Sequence, residues 1–130
     1  MSHDDARTLE RLFDGDVECQ ALVDGWSDEQ LSSAVQGHHF ILGASPVARV
    51  LRGLIHGAIA PEQAQRWASF MRRGYVAGVP GRGSVDVDIV FDPDHEDVIV
   101  EAIARLDELG DLVDGQLRPG EAEQLLAALR

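Results

Sequence analysis

The chain contains no lysine. That absence removes Schiff-base chemistry and the phosphate-gripping lysine of a P-loop. Cysteine occurs once, at Cys19, so no internal disulfide can close and no cysteine-based zinc site can be built. Aromatic residues make up 5% of the chain, and 11 basic residues face 23 acidic ones for a formal net charge of −12. Phosphate repulsion opposes nucleic-acid binding by such a chain. No apolar run approaches the ~18 residues that suggest a membrane span. The start, MSHDDARTLERLF, is charged from residue 4 and carries no signal-peptide core. The expectation is a soluble, cytoplasmic protein that touches neither nucleic acid nor membrane.

Over 130 residues, hydrophobic side chains amount to 45%, enough for one domain, 1–130, with an ordinary core. Most of the chain reads as helix. Leu9, Leu12 and Phe13 share a helical face over residues 5–13, DGD at 14–16 breaks that helix, and a short one follows from Val17 to Val23. SDEQ, from Ser27, is a capping box that opens a helix through Val35. Ser45 is placed as a cap and Pro46 at the first helical position of SPVARVLRGLIHG, with Val47, Val50, Leu51, Leu54 and Ile55 as its apolar stripe. The next helix runs from Pro61 to Tyr75, with Ala64, Trp67, Phe70 and Met71 inward and Arg66, Arg72 and Arg73 outward.

AGVPGRGS, with 76–84 as a flexible loop, leads into SVDVDIVF, whose period of two predicts a half-buried strand over 85–91. Val85, Val87, Ile89 and Phe91 form one face and Asp86 and Asp88 the other. HFIL (39–42) and GYVAGV (74–79) are the candidates to pair with it. Asp92 then caps a helix with Pro93 at its first position, which buries Ile99, Ala102, Ile103 and Leu106 and ends near Leu109. A last helix from Pro119 buries Ala122, Leu125, Leu126 and Leu129. The fold class expected is mostly α, a helical bundle of αα-hairpins with one strand paired in a small sheet.

LVDGQLRPGEAEQLL, near the end of the chain, resembles the second half of an EF-hand loop. Calcium needs oxygen ligands at loop positions 1, 3 and 5, a Gly at 6 and a bidentate Glu at 12. With Gly115 in the glycine place, Glu121 and Asp114 fit, but Leu112 and Gly110 offer no side-chain oxygen. DPDHED fails the opposite way. Asp92, Asp94 and Glu96 supply the head of a loop, while Asp97 and Ile103 stand where Gly and Glu belong. A divalent-metal sensor built on the two half loops is the alternative that these residues leave open.

The simpler explanation is a helix-to-helix corner. GAIAPEQAQRW from Gly57 and GQLRPGEAEQL from Gly115 share Gly, a spacer, an aliphatic, a spacer and Pro. Gly takes the left-handed conformation after a helix end, the aliphatic tucks inward, and Pro starts the next helix. DGDVECQAL at 14–22 is a third copy without the proline.

No pattern of catalysis emerges, and the chain reads as a non-enzyme that needs no cofactor. GVPGRGS (78–84) follows a helix and leads into a strand, the reverse of a phosphate loop. No G-x-S-x-G elbow and no H-E-x-x-H pattern is present. His95 beside Asp92 or Asp94 is one imaginable site; a solvated first helical turn is the other reading. Glu101 and Arg105 have the i, i+4 spacing of an exposed pair.

Charge is the strongest signal left. Residues 84–114 hold eleven acids and one arginine, Arg105, hence −10 in 31 residues. Asp86, Asp88, Asp92, Asp94, Glu96, Asp97 and Glu101 are the candidate partner-binding residues. Such a field steers a basic protein partner, although a charge run also serves as a plain solvated face. A homodimer, in which Arg66, Arg72 and Arg73 of one copy meet the acids of another, is a further alternative. The stretch VDIVFDPDHEDVIVEAIARLDELGDLVDGQLRPGEAEQLL, with GAIAPEQAQRWASF, resembles small acidic bacterial immunity-type proteins, the helical colicin D-like immunity proteins in particular. The resemblance spans residues 46–129 and carries no diagnostic motif. It implies stoichiometric inhibition, in which an acidic face covers the basic site of a toxin or nuclease.

Overall fold

A computed structural model describes residues 3–35, 40–73, 89–109 and 120–129. Within them the chain forms α1 (His3–Phe13), α2 (Cys19–Asp24), α3 (Asp28–Val35), β1 (Phe40–Leu42), α4 (Ala44–Ile55), α5 (Pro61–Arg73), β2 (Ile89–Phe91), α6 (Glu96–Asp107) and α7 (Glu121–Ala128). A 3₁₀ turn, Pro93–His95, joins β2 to α6. The fold is mostly helical with one small parallel sheet, the class the sequence implies.

The two strands pair in parallel, with Phe40 opposite Ile89, Ile41 opposite Val90 and Leu42 opposite Phe91. HFIL is thus the partner of the predicted strand. A parallel pair requires a long crossover, which here contains α4 and α5. Phe40 and Leu42 are buried, and Ile89 and Phe91 pack against the core from the neighbouring strand. Residues 74–88, which include the expected loop, the alternative pairing segment and the first part of the predicted strand, lie outside the described residues.

Every α-helix contributes to one hydrophobic core. Trp67 lies at its centre, fully buried, and its Nε1 donates to the Leu12 carbonyl at 2.8 Å. This satisfies the one polar group that an indole carries into a core. Phe13 stacks on Phe40 at 4.4 Å between ring centroids and meets Phe70 edge-on at 6.4 Å, so α1, β1 and α5 share an aromatic contact. The inward stripes of α1, α5, α6 and α7 are the expected ones. On α4 the stripe is shorter: Val47, Val50 and Leu51 are buried, whereas Ile55 is exposed. Helix α5 packs chiefly on α6 and α4 chiefly on α7.

The corner reading holds at both described copies. Gly57 is left-handed (φ 74°), Ile59 is partly buried and bonds its N–H to the Gly53 carbonyl, and Pro61 begins α5. Gly15 is likewise left-handed (φ 92°), and Val17, two residues on, is buried. The copy from Gly115 to Pro119 lies outside the described residues.

Three local expectations change. Helix α4 starts at Ala44 after Gly43, which makes no side-chain cap. Ser45 and Pro46 therefore sit inside the first turn, where the early N–H groups lack helical acceptors and a proline costs little. Ser27 does cap α3, accepting from Gln30 N at 3.1 Å, but the Gln30 side chain donates to Asp5 on α1 instead of closing the box. Asp92 caps the 3₁₀ turn through Asp94 N at 3.1 Å, with Pro93 at its first position, and α6 proper begins at Glu96.

Candidate functional site

The segment from β2 into α6 carries the candidate acids. In β2 the alternation leaves Ile89 and Phe91 against the core and turns Val90 outward. The period-two reading places Asp86 and Asp88 on that same outward parity, but both lie outside the described residues. Asp92 is half-buried, and Asp94, Glu96, Asp97 and Glu101 are exposed. In α6 the buried positions Ile99, Ala102, Ile103 and Leu106 define the core side. At 100° per residue this turns Asp97, Val100 and Glu101 away from the core, whereas Glu96 lies on the flank of the buried stripe in the first, exposed turn.

Part of this acidity supports the helix. Glu96 and Asp97 occupy the first turn of α6, where negative charge meets the positive end of the helix dipole. Asp92 is occupied as a cap. Glu101, more than one turn in, has no such role.

Other acids are neutralised within the molecule. Asp24 is bound by Arg66 at 2.9 Å and Asp107 by Arg72 at 3.0 Å. Arg105 does not settle on Glu101 as the i, i+4 spacing suggests. It forks onto Glu121 of α7 through Nε and Nη2 (2.5 and 3.0 Å) and reaches Glu108 through Nη1. A forked guanidinium–carboxylate pair is stronger than a single contact. The bonds to Glu121, then to Glu108, hold the Arg105 guanidinium above its ordinary pKa. Among the described residues, Asp92, Asp94, Glu96, Asp97 and Glu101 have no arginine partner. His95 Nδ1 lies 3.5 Å from Asp92 Oδ2, a pair only when the imidazole is protonated.

Of the EF-hand-like tail, residues 110–119 lie outside the described residues, and only Glu121 of its ligand positions is described. No group of three or more His, Cys, Asp or Glu side chains among the described residues could hold a metal. Glu121, the would-be bidentate ligand, gives both oxygens to Arg105.

One feature had no sequence signal: a groove of about 410 Å³ between the two corners, lined by Asp16, Arg49, Gly53, Ile59 and Gln63 among others. Three of its polar side chains, Asp16, Arg49 and Gln63, serve the fold. Arg11 binds Asp16 at 2.8 Å, Arg49 donates to the Asp14 carbonyl at 3.3 Å, and Gln63 accepts from Ala60 N at 2.9 Å. Nearby Cys19 is buried, and burial pushes its thiol pKa up, away from nucleophilic use.

Among the described residues no helix is long and apolar enough to cross a membrane. No protein family matches the chain, and neither a curated protein nor a solved structure does so.

Proposed function

We propose that this protein is an acidic protein-binding module of the immunity or inhibitor type, which acts in the cytoplasm by covering the basic site of a toxin or nuclease. The observation that carries the proposal is selective neutralisation. Arg66, Arg72 and Arg105 are spent on Asp24, Asp107, Glu108 and Glu121, while the carboxylates of Asp94, Glu96, Asp97 and Glu101 are exposed to solvent. A surface of one sign steers an oppositely charged partner and raises its association rate. The same pairing favours a different protein over a second copy of this chain, because two of the arginines that a homodimer would use are already engaged.

The test is charge reversal of Asp94, Asp97 and Glu101 to lysine, with affinity for cationic proteins encoded beside this one measured across a salt series. Affinity should fall at least tenfold at low salt, and the salt dependence should flatten. Unchanged affinity and slope would remove the proposal.

A further inference from the structure

Helix α2 has six residues, too few to stay helical without tertiary support. It lies against α1 and α5. Two apolar side chains, Cys19 and Val23, seat it in the core, while Leu22 faces water. The third buried side chain is polar. Gln20 is 3% exposed, and its Nε2 donates to Asp24 Oδ1 at 2.8 Å. That bond stays inside α2, so it does not tie the helix to its neighbours. It also fixes the amide, because turning it over would set the Gln20 carbonyl against the Asp24 carboxylate. Gln20 Oε1 is therefore buried with no hydrogen-bond partner among the described residues. An acceptor buried in this way carries a desolvation cost that contact with water removes. One ion pair does cross, from Asp24 to Arg66 of α5 at 2.9 Å, but the arginine side chain is 64% exposed, and such pairs hold weakly.

We infer that α2 is a lid that opens on its own while the rest of the molecule stays folded. Closed, it buries Cys19 and Val23. Open, it bares them and lets water reach the Gln20 carbonyl. Local opening of this kind belongs to segments held by little buried apolar surface, and α2 is seated by two apolar side chains. The buried glutamine lowers the difference between the closed and open states further, since its carbonyl is satisfied only in the open one. Cys19 is the chain's one cysteine and is 3% exposed when α2 is closed, so its thiol reports the opening. The lid is independent of the protein-binding reading above.

The test follows reaction of Cys19 in the intact chain with an aromatic disulfide that releases a coloured thiolate, using the peptide DVECQALV as the unprotected reference. The ratio of the two rates gives the open fraction, and urea denaturation followed by circular dichroism gives the globally unfolded fraction. In the wild-type protein the open fraction should exceed the unfolded fraction by about tenfold or more, and it should vary far less steeply with urea. Gln20→Met should slow the reaction about fivefold, because the buried carbonyl it removes is worth about tenfold in the opening equilibrium and the i, i+4 bond to Asp24 about twofold. Arg66→Gln should speed it about threefold. Leu125→Ala, which opens a cavity in α7, should lower the urea midpoint and leave the reaction rate without urea unchanged. A rate that follows global unfolding in its urea dependence, and that rises with Leu125→Ala, would overturn the inference. So would a Gln20→Met variant that reacts as fast as the wild type or faster, since the Gln20 carbonyl would then not be what loosens α2.

Discussion

Gly15 and Gly57 both hold left-handed backbone, at φ 92° and 74°, yet their surroundings differ. A Cβ on Gly57 would meet nothing within 4 Å, whereas one on Gly15 would lie 2.8 Å from the Pro46 carbonyl oxygen. Gly57→Ala should therefore cost only the left-handed penalty of about 1 kcal/mol. Gly15→Ala adds a backbone clash that forces α1 and α4 apart, and should cost roughly 3 kcal/mol. Urea denaturation of the two variants checks the difference, and equal losses would refute it. That a glycine was needed at each corner is readable from the Gly-x-aliphatic spacing, because the conformation is set by local sterics. That only one of them touches another helix is not readable, because the contact spans some thirty residues of sequence.

At the scale of elements, Arg105 ties α6 to α7. Its side chain is 23% exposed and that of Glu121 17%, between the weak surface case and the buried one. Arg105→Met should destabilise the protein by about 1–2 kcal/mol. Arg105→Lys should recover less than half of that loss, since an ammonium cannot fork onto a carboxylate. Denaturation curves give the energies, and amide exchange at Leu125 to Leu129 should accelerate in both variants if α7 loses its hold. Full rescue by lysine would mean that charge alone matters. The helices themselves are legible because their apolar stripes recur at 3.6 residues. The i, i+4 pairing of Arg105 with Glu101 is a local inference that a better, forked partner on another helix displaces.

At the scale of the whole molecule, like charges clustered on one segment work against the compact state. If the acids at the start of α6 exist for a partner, the fold should tolerate their loss. Asp94→Asn, Asp97→Asn and Glu101→Gln together should leave stability within about 0.5 kcal/mol of the wild type or raise it, with the loss of dipole stabilisation offset by relief of repulsion. Asp92→Ala, which removes the cap on the 3₁₀ turn, should cost about 1 kcal/mol. Thermal melts at low salt distinguish the two outcomes. A collapse of the triple variant would show that these acids are structural.

By itself the sequence determined the elements: the stripes of α1, α5, α6 and α7, the left-handed corners, the parity of the strand and the excess of acid. Each is governed by interactions over a few residues, so the local order of side chains suffices. The tertiary structure alone decided which strand pairs with which, that α5 rests on α6 and α4 on α7, and which carboxylates the arginines neutralise. Those outcomes depend on distances between segments far apart in the chain, and they separate the acids that serve the fold from those that face outward.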